Sequence, residues 1–571
     1  MDEKLHKSFI TGVERVSAWA DLLDAINIFP IADGDTGRNL SISLSPLRAS
    51  GQKKGKIIQQ LLLSARGNSG NIASQFFSAF YLADLYRGAQ EGRDRAWRAV
   101  GDPRPGTMLT LFDALAEAIP QGCVIPDKEE VQSIIGRLEA AVWETGELLP
   151  KLKKAGVVDS GALGMYIFFE GFFHALAGIG ETYRPVTEVF KNRLQISSSF
   201  QEDAENGYCV DFVLKAQNLS RDELARITQT QESVVIIPDG DLYKIHLHTA
   251  DREKVKSDIS SLGSMLNWED DNLQEQMKEF MSIKSPHKLH VMTDAAGSVT
   301  RDDAKKYSIT LLNSYITLGE KCVPETHLHP QELYRSMRQG VKVSTSQASV
   351  FERHQFYESV MDRFAKVLYL CVGSVYTGNY QVAMEWKEKH DPQDRLIVVD
   401  SGAASGRLGT MVLATVCHLA ETGDVEKTIS FAQKAVANCE EYVFLDKLEY
   451  VAAGGRLSKT SAFFGDMLKM KPVISPQPEG AKKVGVVRNT DEQVKMAMEK
   501  LAASLKKDSS AFIMLEYSDN FAWVESTAKK MIEELYPQAE IVLQPLSLTS
   551  GAHYGPGTWA LAFLPEAALR I

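Results

Sequence analysis

NIFPIADGDTGRNL, residues 27–40, sets two carboxylates, Asp33 and Asp35, two positions apart in a loop ordered by Gly34 and Gly37. Carboxylates held that close repel one another unless a cation lies between them. An ordinary Asp-Gly turn is the simpler account of the triplet DGD by itself, so its surroundings decide. On the N-terminal side Leu5, Phe9, Val13, Val16, Leu23 and Ile26 recur at the spacing of one helix face. Helical periodicity then dominates to about residue 190, broken by Gly- and Asp-rich loops at 33–39, 66–71, 101–107 and 156–164. Loops between helices are where a bundle can build a site.

ARGNSG at 65–70 offers Gly67, Ser69 and Gly70, which would let backbone N–H groups approach phosphate oxygens just before a helix begins. GVVDSGALG at 156–164 places Asp159 among glycines, and PGTMLT at 105–110 is a fourth element of this kind. The most membrane-like stretch runs from Leu163 to Gly180, but Glu170 and His174 interrupt it. An unbroken span needs about 18–20 apolar residues, so a buried helix is predicted.

Beyond residue 190 the pattern changes twice. Residues 195–206, QISSSFQEDAEN, are polar and acidic and read as a linker. From Tyr208 the period is two: YCVDFVL, SVVII, a PDGD turn and LYKIHLHT predict a small sheet containing a hairpin. A charged helical stretch is expected around 268–283. Further on, LHVM precedes TDAAGS, VLYLCV precedes GSVYTG and LIVV precedes DSGAAS. That is an α/β pattern with ligand loops at the carboxyl ends of parallel strands. FIMLEY, a helix near 524–534 and EIVLQ repeat the unit in a second lobe.

A chain of 571 residues is too long for one core, so several domains are expected. Its 44% hydrophobic and 24% charged residues suit a folded soluble protein rather than a disordered or fibrous one. A net charge of -11 provides no footprint for nucleic acid. The opening MDEKLHKSF carries mixed charge, unlike a signal peptide, and the six cysteines form no CxxC pair. Both features predict reduced thiols in the cytoplasm.

The stretches at 27–40, 65–70, 105–110 and 156–164 resemble, in order and spacing, the DhaL domain of dihydroxyacetone kinases, and more closely its version in bacterial fatty acid kinases. The resemblance covers about residues 5–190. It implies an all-α helical barrel with ATP and two magnesium ions at one end, Asp33 and Asp35 being the magnesium ligands. Asn27 would stand near the place where dihydroxyacetone kinases use a further aspartate, and Thr36 and Asn39 would complete the loop. Asn68, Ser69 and Gly70 would line the phosphates, Thr107 and Met108 would lie by the nucleotide, and Asp159 would sit near the site. Arg38 stands where the family pattern has a small threonine and is expected to face solvent.

In LYKIHLHT the strand period puts His246 and His248 on one face and Tyr243, Ile245 and Leu247 on the other. Two imidazoles on one face can share a metal, and Cys209 on a pairing strand would add a soft ligand. Spacing alone favours two solvated histidines. YCVDF followed by KIHLHT, however, resembles the middle domain of fatty acid kinases. That resemblance implies a small α+β domain at 207–266 with zinc on Cys209, His246 and His248. A second HxH, His327 and His329, has no comparable cysteine and reads as surface.

From residue 288 to 571 the motifs TDAAGSV, STSQAS, GSVYTGNY, DSGAAS, LEYVAAGGRLS, KPVI and AHYGPG resemble the DegV family in the family's order. The resemblance implies a two-lobed α/β domain that buries a fatty acid in an apolar tunnel. A carboxylate at such a mouth needs donors without a buried charge of their own. Thr345 and Ser346 in a first loop, and Ser374 and Thr377 in a second, are the candidates, although a capped helix accounts for any single serine-rich turn. By resemblance Arg456 and His553 would sit over the headgroup. GSVYTGNY departs from the family's SSxLSGTY at Gly373, Tyr376, Thr377 and Asn379, which implies a narrower mouth.

Together these resemblances imply a fatty acid kinase fused to its fatty-acid-presenting domain, transferring the ATP γ-phosphoryl group to the fatty acid with Asp33, Asp35, Arg456 and His553 as the catalytic set. An acyltransferase that uses the acyl phosphate is the implied partner, while transient membrane-surface contact and a homodimer stay open. A carboxylic acid with a pKa of about 4–5 is ionised at neutral pH, so no general base is needed. Two alternatives remain at this point: a kinase of a small hydroxylated carbonyl compound, and a non-enzymatic lipid carrier with a relict kinase domain.

Overall fold

The computed structural model describes residues 3–49, 52–201, 207–217, 219, 223–224, 228–282, 288–453 and 470–565. Two units divide the chain, Met1–Ile283 and Lys284–Ile571.

The first unit opens with helices α1 (Glu3–Ala25), α2 (Thr36–Leu44), α3 (Lys54–Ser64), α4 (Gly67–Phe80), α5 (Leu85–Ala99), α6 (Met108–Ala118), α7 (Lys128–Leu148), α8 (Pro150–Ala155) and α9 (Ser160–Ala177). Helix α9 is buried along nearly its whole length, as a helix apolar on every side must be. Helix α1 runs against it, and small residues permit the approach: a Cβ on Gly12 would lie 2.8 Å from the Phe168 ring. Phenylalanines fill the space between helices, with Phe76 stacked on Phe112 at 4.0 Å and Phe9 edge-on to Phe172 at 4.9 Å. The charge that interrupts the apolar stretch is matched inside the core, where Glu170 pairs with Arg15 at 2.5 Å and accepts from Tyr166 Oη at 3.2 Å. No helix of the described residues is long and apolar enough to cross a membrane.

Part of the expected linker is packed rather than free. The Ser197 N–H donates to the Ala155 carbonyl at 2.8 Å and Phe200 is buried. Residues 202–206 lie outside the described ones.

Strands β1 (Tyr208–Lys215), β2 (Glu232–Asp239), β3 (Leu242–Thr249) and β4 (Ser264–Asn272) form an antiparallel sheet in the order β2-β3-β1-β4. One face, with Val210, Phe212, Leu214, Ile236, Tyr243, Ile245 and Leu247, meets Val255 and Ile259 of the helix Arg252–Ser260. The helix expected from about residue 268 begins only at Leu273. Residues 264–272 instead pair with β1 and let Trp268 stack on Phe212 at 5.3 Å, so sheet pairing overrides the local charge pattern. The β2 edge meets the helices: the Gly101 N–H donates to the Val234 carbonyl at 2.9 Å, and Val235 and Ile237 pack on Leu62 and Ala99.

The second unit contains β5 (His290–Asp294), β6 (Ile309–Leu312), β7 (Ser314–Leu318), β8 (Lys321–Pro324), β9 (Val343–Gln347), β10 (Val367–Cys371) and β11 (Leu396–Asp400). It continues with β12 (Glu440–Phe444), β13 (Lys471–Gln477), β14 (Gly480–Val487), β15 (Phe512–Tyr517), β16 (Glu540–Pro545) and β17 (Trp559–Leu564). A parallel sheet has the order β11-β10-β5-β6, a six-stranded mixed sheet the order β14-β13-β12-β17-β15-β16, and a small antiparallel sheet the order β8-β7-β9. Leu408, Met411 and Val412 of the helix Ser405–Thr422 share one core with Leu368 and Leu370 of β10 and with Met514 and Ala562 of the mixed sheet. The repeat read in FIMLEY and EIVLQ is the parallel pair β15 and β16.

Candidate functional site

The loop before α2 is shaped from below by α1. Asp24, near the end of α1, accepts the Gly37 N–H at 2.6 Å and the Arg38 N–H at 3.1 Å. It thereby caps α2 in place of Asp35, which holds the N-cap position but makes no side-chain cap bond. Gly37 is required by proximity, since a Cβ there would stand 2.2 Å from the Ala20 carbonyl oxygen. Gly34 supplies a left-handed turn, φ +66°.

Asn27 is the hub of this loop. Its Nδ2 donates to Asp33, while its Oδ1 accepts Thr36 Oγ1 at 2.7 Å and Ser160 Oγ at 3.1 Å. Burial and the charge of Asp35 push the Asp33 carboxyl well above the usual range, and burial raises Asp35 as well. A buried and a half-buried carboxylate in this state need a proton or a cation between them. All-oxygen donors suit magnesium, so the residues fit that ion. Arg38 is half-buried, not in solvent: its Nε is shielded with no hydrogen-bond partner among the described residues, and its charge acts on Asp35 and Arg66.

Helix α4 begins beside this loop. Gly67 and Gly70 let it lie on α2, because a Cβ would stand 2.1 Å from Asn39 Nδ2 at the first and 2.1 Å from Ser43 Oγ at the second. The Gly70 N–H already donates to the Arg66 carbonyl, so its place among the phosphate-lining residues is one of packing. Asn68 and Ser69 are half-buried at the same helix start. Asp159 joins two helix N-termini, accepting from Ala162 at 2.7 Å in α9 and from the Met108 amide at the start of α6. Burial pushes its carboxyl up to about 7. Thr107 caps α6 through Leu109. These contacts bring Thr107, Met108 and Asp159 together, with structural duties for each.

On the sheet, Cys209 lies opposite His248 and Asp211 opposite His246. The ligand atoms of Cys209, His246 and His248 all fall within 4.8 Å of one another and all three residues are buried. His246 Nε2 and His248 Nδ1 are buried with no hydrogen-bond partner among the described residues, which a metal on those atoms would account for. Burial and the neighbouring His246 lower His248 to about 3, leaving a neutral imidazole able to ligate. Burial pushes the Cys209 thiol well up, and the charges of Asp211, Asp35 and Asp33 add to it. A thiolate, two imidazoles and a buried setting fit zinc. Ile31 packs against Cys209, so the aspartate loop borders this set. His329, of the other HxH, is exposed and accepts the Gln331 N–H as a helix cap.

In the second unit Thr345 and Ser346 occupy strand β9, not a loop. Adjacent strand residues face opposite ways, so the two side chains lie on opposite faces of β9. Thr345 meets His553 Nε2 at 3.1 Å, whereas Ser346 is exposed. Ser374 is fixed through its backbone N–H to Asp400 Oδ1 at 3.0 Å, which leaves its exposed side chain out of that bond. Thr377 Oγ1 accepts the Asn379 N–H at 3.3 Å. Buried Asp294 anchors this loop, accepting the Val372 N–H at 2.8 Å, Asn379 Nδ2 at 2.9 Å, Tyr369 Oη at 2.9 Å and Arg353 Nη2 at 3.0 Å. Tyr376, in place of the family's leucine, donates to the Gln477 carbonyl at 3.0 Å. Arg456 lies outside the described residues.

Sequence reasoning missed Asp24, Asp211, Lys244 and Asp294. Asp211 and Lys244 carried a signal, since they stand two residues from Cys209 and His246 and so on the same strand faces as those predicted ligands.

Residues 30–174 match the family model of the DAK2 domain, 205–280 that of the FakA-like middle domain of fatty acid kinases, and 288–566 that of the DegV family, described as uncharacterised. Protein YloV of Bacillus subtilis is 30% identical over 312 residues, 48% of this chain and 56% of that one. A Staphylococcus saprophyticus protein, SSP1546, is 29% identical over 325 residues, 50% of this chain and 57% of that one. The chain thus spans a little over half the length of the curated relatives it matches. Among solved structures, a fatty-acid-binding DegV family protein of Thermus thermophilus aligns with a TM-score of 0.45 and 22% identity, covering 48% of this chain and 99% of that one. DegV of Bacillus subtilis, a fatty acid binding protein, aligns with a TM-score of 0.44 and 20% identity, covering 49% and 100%. The chain is therefore built of a DAK2 domain, a FakA-like fatty acid kinase middle domain and a DegV-family domain in one polypeptide.

Proposed function

We propose that this protein is an ATP-dependent fatty acid kinase, passing the γ-phosphoryl group of ATP, held by the helical domain, to the carboxylate of a fatty acid held by the DegV-family domain. The observation that carries the reading is the pair of close carboxylates, buried Asp33 and half-buried Asp35, beside the start of α4, in a chain that also matches the FakA-like middle domain and the DegV family.

Asp33 and Asp35 would hold magnesium, which when bound supplies charge neutralisation at the phosphates. Asn27 orients Asp33, and Thr36 and Ser160 keep Asn27 in place. The amides of Asn68 and Ser69, with Asn39, are the groups at hand for phosphate oxygens; Thr107 and Met108 would border the nucleotide. Cys209, His246 and His248 would hold zinc. Thr345, Ser374, Thr377 and His553 would receive the carboxylate, and Arg456 would act over it. The product is an acyl phosphate, a mixed anhydride reactive enough to supply an acyltransferase.

Incubating the purified full chain with ATP, magnesium and oleate, and trapping product with hydroxylamine, tests the reading. Acyl hydroxamate should form, and Asp33→Asn should abolish it. Phosphorylation of dihydroxyacetone but not oleate would overturn the proposal, and lipid binding with no phosphoryl transfer to either would favour a carrier.

A further inference from the structure

Asp211 gathers donors from two different domains onto one carboxylate that is only 8% exposed. Oδ2 accepts the Gly67 N–H at 2.9 Å and lies 3.1 Å from His246 Nδ1. Oδ1 accepts Asn71 Nδ2 at 3.2 Å and pairs with Lys244 Nζ at 3.1 Å. Gly67 and Asn71 belong to α4; Lys244 and His246 belong to β3.

Each end of this arrangement touches a candidate site. Helix α4 makes no side-chain cap bond of its own at Arg66, so the carboxylate meeting its first amide comes from the sheet. That bond fixes the first turn and leaves the following amides, of Asn68 and Ser69, for phosphate oxygens. On the other side, donation from Nδ1 to the same oxygen turns the His246 ring and leaves its lone pair on Nε2. Nε2 is the buried atom with no hydrogen-bond partner among the described residues. A single oxygen therefore orients a metal-ligating ring and the phosphate-facing end of a helix.

We propose that Asp211 is a positioning residue that couples the two sites: filling the Cys209–His246–His248 set with zinc tightens nucleotide binding at α4 through this carboxylate. The proposal rests on the nucleotide and zinc assignments above. A metal on Nε2 immobilises the ring and strengthens donation from Nδ1. The carboxylate so held orders the first turn of α4 in advance, and the nucleotide no longer meets that ordering cost.

The test uses the full chain, stripped with a chelator and reloaded with one equivalent of zinc, titrated calorimetrically with a non-hydrolysable ATP analogue and magnesium. Wild-type protein should bind the analogue about tenfold more tightly with zinc than without, within the usual range of such couplings. In Asp211→Ala the ratio should fall to about twofold or less, because no oxygen remains to accept from both Gly67 and His246. A merely structural role would weaken both forms together and leave the ratio intact, and that outcome overturns the proposal. Hydrogen exchange on wild-type protein provides a reading independent of the variant's folding: zinc alone should slow exchange in peptides covering 66–72, and unchanged exchange also overturns it. Nucleotide binding indifferent to zinc sinks the coupling alone. Failure of wild-type protein to bind nucleotide in either state sinks the kinase reading with it.

Discussion

Replacing Gly37 with alanine tests how closely α1 and α2 must approach for the aspartate loop to form. The added Cβ would stand 2.2 Å from the Ala20 carbonyl oxygen and 2.6 Å from the Ala20 Cα. Both are backbone atoms of α1, so no side chain can swing aside, and ordinary contact requires a retreat of roughly 1 Å. The Asp24–Gly37 hydrogen bond, now 2.6 Å, would then stretch beyond useful length. Overpacking costs about 1–3 kcal/mol, and a lost hydrogen bond to a charged group about 1.5–3 kcal/mol. Because the chain relaxes toward whichever is cheaper, the expected loss is about 2–3 kcal/mol, or roughly 3–5 °C in the unfolding temperature of a unit this size. A shift of about 1 Å in the loop carrying Asp33 and Asp35 should also reduce phosphoryl transfer on the order of a hundredfold.

Gly136 is the internal control. It lies within α7, and an added Cβ would meet nothing within 4 Å, so Gly136→Ala should raise stability by about 0.5–1 kcal/mol through helix propensity alone. Thermal unfolding of the two variants beside wild type, with hydroxamate trapping for activity, separates the effects. Wild-type melting and turnover in Gly37→Ala would refute the close-approach argument.

Cys209→Ser should weaken zinc binding at least tenfold in competition with a chromogenic chelator, since it removes the one soft ligand of the set; unchanged affinity would mean that zinc sits elsewhere. Asp294→Asn leaves Arg353 buried without its counter-charge, a loss of about 3–5 kcal/mol, and by releasing the Val372–Asn379 loop should also weaken fatty acid binding, measured by displacement of a fluorescent acyl probe. Glu325 is buried, accepts the Thr549 N–H and Oγ1–H, each at 2.7 Å, and has its carboxyl raised by burial from 4.5 to about 7. The folded protein therefore binds this proton more tightly than the unfolded chain. Its contribution is fully present below about pH 4.5 and falls as the pH rises toward 7. The difference in melting temperature between Glu325→Gln and wild type should accordingly move in favour of the variant across that window, and a pH-independent difference would count against it.

Much of the architecture is legible because it rests on local periodicity. The alternation in LYKIHLHT sets its histidines on one face and its apolar residues in the core, and the runs before TDAAGS, GSVYTG and DSGAAS are parallel strands. What escapes is what tertiary contact decides. Asp24 becomes the cap of α2 only because α1 ends beneath it, and nothing in its neighbours announces that duty. Residues 264–272 carry a charge pattern suited to a helix and are held as a strand by the exposed edge of β1. STSQAS looks like a loop because hydroxyl residues dominate it, yet its first four residues, Ser344 to Gln347, pair with β7 through the backbone, which is indifferent to side-chain chemistry.

The packing of α1 against α9 has a consequence for biosynthesis. Arg15 hydrogen-bonds a partner 152 residues later in the chain, the Ile167 carbonyl. At translation rates of about 5–20 residues per second, α1 waits roughly 8–30 s after its own synthesis before α9 exists to receive it. During that interval Phe9, Val13 and Val16, all buried in the finished fold, have no native partner there. The apolar face of α1 is thus open to non-native association during that interval, and codon changes that slow elongation between α1 and α9 should lower the yield without altering a single residue.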